Sequence, residues 1–202
     1  MTTHVKLLGA IARPPETDEH GTRLVIAGTE TVNIRGRTRT VPFYIRTLTP
    51  RDPNLPPGTP VYAEGHLTSK ARGTQHPTRV TVHLTQLHEV PGLPTRQDAG
   101  GGHVLTTGLN HVTLHARLMQ DIHVRLLPDS DREVMNSIIA TDTSNGLLEI
   151  CAYGLTARVL QGARKGMQLE ASGRVLNEKR MSGGGRERTY TKIELVSYSV
   201  WS

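Results

Sequence analysis

The sequence predicts an all-β chain built as two five-stranded barrels in tandem, the second with a helix between its third and fourth strands. Three observations predict it: apolar residues alternate with period two in both halves, the halves repeat each other, and a Pro/Gly-punctuated segment separates them. Val80, Val82 and Leu84 point one way, while Arg79, Thr81, His83 and Thr85 point the other. Val112, Leu114, Ala116 and Leu118 oppose Thr113, His115 and Arg117 in the same way, as Met167, Leu169, Ala171, Gly173 and Val175 oppose Gln168, Glu170, Ser172 and Arg174. One face of each strand is therefore core and the other is wet.

The repeat is legible at two distant points. His4-Val5-Lys6-Leu7 recurs as His111-Val112-Thr113-Leu114, an offset of 107, and the stretch around Ala63-Glu64-Gly65 recurs around Ala171-Ser172-Gly173, an offset of 108. A near-constant offset is the mark of a duplicated domain. Between the halves, residues 91–102 combine Pro91, Gly92, Pro94 and Gly100-Gly101-Gly102 without periodicity and read as a linker. The expected domains are thus 1–90, a 91–102 linker, and 103–202. In the second half Leu155, Val159 and Leu160 form a helical stripe that Gly162 or Gly166 ends. The first half has Pro50, Pro53, Pro56 and Pro57 at that place, which predicts a loop. Strand, strand, strand, helix, strand, strand is the order of the five-stranded OB barrel.

The chain has 202 residues, 36% hydrophobic and 21% charged. That composition suits two compact β domains better than one large core. No apolar run approaches the roughly 18 residues of a membrane helix, and Leu7–Ala12 behind Lys6 is too short for a secretory signal, so a soluble, cytoplasmic protein is expected. The single Cys151 excludes a disulfide scaffold and Cys-based zinc motifs, and reads as a small strand filler. Lys and Arg number 24 against 18 Asp and Glu, a net +6 present in both halves. A polyanion is the natural partner. Aromatics make up only 3%: Phe43, Trp201 and five Tyr, little stacking surface for a binder of single strands.

Catalytic signatures are missing. His111 and His115 have the spacing of a helical zinc pair, but in a strand they stand about 13 Å apart. No HExxH, Walker loop, GxSxG or DxD pattern occurs, and no carboxylate cluster of the kind an OB-type nuclease needs stands out. The sequence predicts neither an enzyme nor a cofactor or metal.

Several stretches resemble bacterial single-stranded DNA-binding proteins, in particular the two-OB-fold variety of the Deinococcus–Thermus lineage. Leu109-Asn110-His111-Val112-Thr113-Leu114 resembles the family's opening strand. Ala152-Tyr153-Gly154-Leu155-Thr156-Ala157, with Arg164-Lys165-Gly166 after it, resembles the strand–helix–strand passage, and Arg174-Val175-Leu176-Asn177-Glu178 follows in order. Gln97-Asp98-Ala99-Gly100-Gly101-Gly102 resembles the linker of those proteins, and Gly36-Arg37 through Pro42-Phe43-Tyr44 the family's Trp-Tyr strand. The likeness spans nearly the whole chain.

The resemblance implies sequence-independent binding of single-stranded DNA, coating and protecting strands in replication, recombination or repair, by a homodimer with four OB folds. This chain departs from the family in its stacking residues. A Trp seven residues after the strand-4 glycine is replaced by Arg72 and Arg180, and a second stacking position is Leu147, while Tyr153 keeps a third aromatic. The strand 2–3 loop of the second half shrinks to about 142–146. The family's acidic recruiting tail has no counterpart after Trp201-Ser202. Recruitment of repair enzymes through such a tail is therefore not expected.

Binding single strands takes a basic groove for phosphates and flat groups for bases, and Arg serves both. The candidate DNA contacts in the first half are Arg35, Arg37, Arg39, Phe43, Tyr44, Arg46, Lys70 and Arg72. In the second they are Arg117, Tyr153, Arg174, Lys179, Arg180, Arg186 and Arg188. Two roles stay open for Phe43, groove or barrel interior, and two for Tyr153, groove or subunit contact. An exposed Arg on a β-hairpin is also a common edge guard. Alternative functions are an OB-fold interaction module of a replication or repair complex, and an RNA-binding OB protein.

Overall fold

The computed structural model describes residues 2–34, 37–71, 77–128, 130–141, 146–181 and 187–201, with the backbone alone at 33–34, 37, 70–71, 77–79, 130–131, 178–181 and 187–189. The strands are β1 (Thr3–Ile11), β2 (Glu16–Asp18), β3 (Gly21–Ile34), β4 (Arg37–Thr49), β5 (Pro60–Ala71), β6 (Pro77–Glu89), β7 (Thr95–Gln97), β8 (His103–Leu105), β9 (Leu109–Leu118), β10 (Val124–Leu127), β11 (Ser130–Ala140), β12 (Leu147–Tyr153), β13 (Gln168–Met181) and β14 (Glu187–Trp201). One helix, α1 (Leu155–Leu160), follows β12. The chain divides into two compact units. One is Val5–His66 with Thr81–His111; the other is Met1–His4, Leu67–Val80 and Val112–Ser202.

Each unit contains a closed five-stranded ring. In the first, β1 pairs β3, β3 pairs β4, β4 runs parallel to β6, β6 neighbours β5, and β5 returns to β1. In the second, β9, β11, β12, β14 and β13 close in the same sequence, again with the third and fifth strands parallel. The registers match as well as the order. Ile11 faces Ile26 as Leu118 faces Ile139; Leu48 faces His83 as Cys151 faces Glu194; Val5 faces Gly65 as Val112 faces Gly173. The duplication read from two offsets therefore extends through all five strands.

Alternation positions the cores as expected. Val112, Leu114, Ala116 and Leu118 are buried while Thr113, His115 and Arg117 are exposed. Val82 and Leu84 are buried on β6, and Leu169, Ala171 and Val175 on β13. Burying an aliphatic side chain of this size contributes about 1.5–3 kcal/mol, which is what fixes strand register against a one-residue slip. Gly65 and Gly173 occupy the place where the fifth strand crosses closest. A Cβ on Gly65 would stand 2.1 Å from the His83 carbonyl oxygen, and one on Gly173 1.9 Å from that of Glu194. A bulge between Ser172 and Gly173 bends β13 there.

The helix differs from its sequence reading. Its buried residues are Ala157 and Leu160, whereas Leu155 and Val159 are 73% and 61% exposed. Six residues make under two turns, so one side alone, spaced i and i+3, reaches the barrel. Gly162, at φ 94, follows the helix end closely, as a left-handed terminator does. In the first barrel residues 50–59 contain no helix, in line with the prolines there.

Residues 91–102 carry more structure than a plain linker. β7 pairs antiparallel with β8, and β8 joins β3 in parallel at Gly28 and Leu105. Among the described residues no helix is long and apolar enough to cross a membrane.

Candidate nucleic-acid interface

In OB barrels the outer face of the second and third strands, with the flanking loops, is where ligands bind. In the first barrel that face belongs to β3 and β4. Tyr44 lies on it, half-buried against Val25, Ala27, Ala12 and Val104. Its hydroxyl donates to Asp98 Oδ2 at 2.5 Å, while Asp98 Oδ1 accepts from the Gly100 and Gly102 amides, both at 2.8 Å. Asp98 thus ties the β7–β8 turn to itself and to the barrel. Tyr44, read from the sequence as a DNA contact, has its hydroxyl tied to the hairpin. For Phe43 burial favours the barrel interior, one of the two roles its sequence left open. It is 6% exposed, and a Cβ on Gly28 or Gly108 would strike its ring, so it fills the space those glycines leave.

Burial, then the hydrogen bond to Asp98, pushes the Tyr44 phenol up to about 12. The Tyr44 hydroxyl and the two turn amides hold the Asp98 carboxyl below its ordinary value. The signs follow from linkage. A raised phenol contributes stability that is complete below pH 10.0 and lost as pH rises toward about 12. A lowered carboxyl contributes stability that is lost as pH falls through and below 3.8. Spectroscopic titration should find the Tyr44 phenolate forming near pH 12, and Tyr44→Phe should remove that step; an unchanged titration in the variant would contradict the clamp.

In the second barrel the corresponding face belongs to β11 and β12. Tyr153 ends β12 opposite Val134, and the Arg132 guanidinium sits 4.3 Å from its ring centroid. Such a cation–π pair leaves a flat, positively charged surface. Arg132 is a candidate that sequence reasoning missed. Strand parity could have found it, since Arg132 shares a side with Val134, the residue paired to Tyr153. On the same side of β12 as Tyr153, Cys151 is fully buried, and burial pushes its thiol up to about 12, consistent with an unreactive filler.

Arg174, also read as a DNA contact, is paired within the protein. Its Nε donates to Glu194 Oε2 at 2.6 Å, and both side chains are 13% exposed. A guanidinium held this way is engaged by a carboxylate inside the protein rather than offered to phosphate. The corresponding positions of the first barrel, one residue after Gly65 and at the crossing carbonyl, hold His66 and His83. Their rings stack with centroids 5.7 Å apart.

The remaining candidates divide into three groups. Arg39 and Arg46 on β4, and Arg117 on β9, are exposed. Arg37, Lys70, Lys179, Arg180 and Arg188 lie on strands by their backbone, with Arg180 paired to Arg188 across the β13–β14 hairpin. Arg35, Arg72 and Arg186 lie outside the described residues. Other basic groups face acids: Arg158 Nε donates to Glu133 at 2.8 Å, and Arg164 meets Asp121 at 3.4 Å. Among the described residues no three His, Cys, Asp or Glu side chains converge to hold a metal.

Two closed barrels with this strand order, joined in one chain, define a tandem OB-fold protein. No family model matches the sequence. The chain is similar to the single-stranded DNA-binding protein of Deinococcus radiodurans, 26% identical over 95% of this chain and 72% of that protein. It is likewise similar to the single-stranded DNA-binding protein of Thermus aquaticus, 27% identical over 80% of this chain and 67% of that protein. The solved wild-type structure of the Thermus aquaticus protein superposes with a TM-score of 0.75 at 22% identity, covering 99% of this chain and 93% of that one. A deletion variant of the same protein gives 0.71 at 20% identity, over 98% and 93%. The resemblance read from the sequence and the tandem OB architecture are thereby shown.

Proposed function

We propose that the protein binds single-stranded DNA without sequence preference, coating and protecting exposed strands. The observation that carries this reading is the pairing of a doubled OB barrel with similarity, along 95% and 80% of the chain, to two proteins named for that activity. The chemistry on the page supports it. Exposed Arg39, Arg46 and Arg117 suit phosphates, and the Arg132–Tyr153 pair suits bases. The basic strand 4–5 hairpins carrying Lys70, Lys179, Arg180 and Arg188 extend that charge. The barrels, 1–90 and 103–202 joined through 91–102, act together on one strand, as a homodimer of four folds, in the cytoplasm. The protein works by binding rather than catalysis.

Protection is the direct consequence of coating. At saturating protein a labelled single strand should resist a single-strand nuclease while duplex of equal length is cut by a duplex nuclease as fast as when free. Degradation of the single strand at its unprotected rate would overturn the reading.

A further inference from the structure

We propose that the two barrels bind unequally: bases lodge on the second barrel's outer face, at Tyr153, because the chain's own β7–β8 hairpin covers the Ala27–Tyr44 part of that face in the first. The inference rests on the single-strand binding reading and assigns the bases to one repeat.

Matched registers define corresponding positions. Leu48 corresponds to Cys151, so Tyr44, four residues earlier, corresponds to Leu147; Ile26 corresponds to Ile139, so Ala27 corresponds to Ala140. In the first barrel Ala27 is fully buried beneath Val104, and Tyr44 is tied to Asp98. Backbone bonds fasten the hairpin along its length. His103 N donates to the Ala12 carbonyl at 3.0 Å, Gly108 N to the Thr29 carbonyl at 2.6 Å, and the Thr29 hydroxyl to the Thr106 carbonyl. A base can reach the Ala27–Tyr44 part of this face only by breaking those bonds and exposing the apolar cluster under the hairpin.

The second barrel differs at these two positions. Ala140 and Leu147 are part-exposed, and among the described residues β11 has only β9, β10 and β12 as strand partners. The aromatic has also moved along the face, from the Tyr44 position at the start of the third strand to Tyr153 at its end, where Arg132 covers it. A base stacking there meets a cationic plane and a ring together.

Photocrosslinking of the full chain to iododeoxyuridine-substituted oligo-dT, with adducts mapped by mass spectrometry, tests this. Adducts are expected on the peptides carrying Tyr153 and Arg132, with none at Phe43 or Tyr44. Tyr153→Leu should weaken oligo-dT binding roughly tenfold. Adducts at Phe43 or Tyr44, or full affinity in Tyr153→Leu, would overturn the inference while leaving single-strand binding intact. A wild-type protein that fails to bind oligo-dT in the parallel titration would overturn the functional reading itself, so the two failures are distinct.

Discussion

Gly173→Ala should lower the stability of the second barrel by about 3 kcal/mol, near the upper range for overpacking a tight site. The cause is backbone against backbone. The added Cβ would stand 1.9 Å from the Glu194 carbonyl oxygen, and no rotamer change can relieve a contact with a main-chain atom. Either β13 or β14 must shift, and the two are hydrogen-bonded along their whole length. Trp201, the sole tryptophan, lies on β14 and makes the loss readable as an earlier denaturant midpoint in its fluorescence. Gly65→Ala should act in the same direction on the first barrel, where the contact is 2.1 Å to His83. A Gly173→Ala midpoint equal to the parent's would mean the strands cross less closely than described.

Arg174→Met should cost about 3 kcal/mol, for a different reason. Glu194 is 13% exposed and accepts from Arg174 at 2.6 Å, so truncating the partner leaves a carboxylate buried without its counter-charge. Arg174→Met with Glu194→Leu should recover most of that loss, because an apolar pair of similar volume removes both charges at once. The comparison also separates two roles for this residue. A phosphate contact would lose affinity in the single variant and keep its stability; the structure predicts the reverse order of effects.

Much of the fold was legible because strand parity is a local signal. Val112 to Leu118 alternates plainly, and no long-range knowledge is needed to read it. The duplication was legible because Gly65 and Gly173 answer one backbone demand, the close crossing of the fifth strand, and that demand leaves a glycine in both halves. What escaped the sequence depends on distant partners. Tyr44 and Asp98 are 54 residues apart, and nothing near Tyr44 announces that a turn will claim its hydroxyl. The Pro/Gly composition of 91–102 looks the same whether the segment hangs free or folds against a barrel. Arg174 reads as a surface arginine until Glu194 is placed across the β13–β14 ladder. Arg132 sits in a mixed-charge stretch that attracted no attention by itself. The helix was legible, but of its apolar stripe only Leu160 is buried; Leu155 and Val159 are exposed and the smaller Ala157 reaches the core beside Leu160.

The central claim is single-strand binding, and one titration tests it most directly. Fluorescent oligo-dT is titrated with protein at low and high salt, with duplex DNA and oligo-U as competitors. The account predicts tight binding that duplex fails to displace, weakening steeply with salt at a log–log slope of about −0.7 per phosphate contact. Binding that oligo-U removes as readily as oligo-dT would point to RNA instead. No binding at micromolar protein in low salt would contradict the account, leaving the exposed arginines as surface charge and the barrels to be explained by a protein partner.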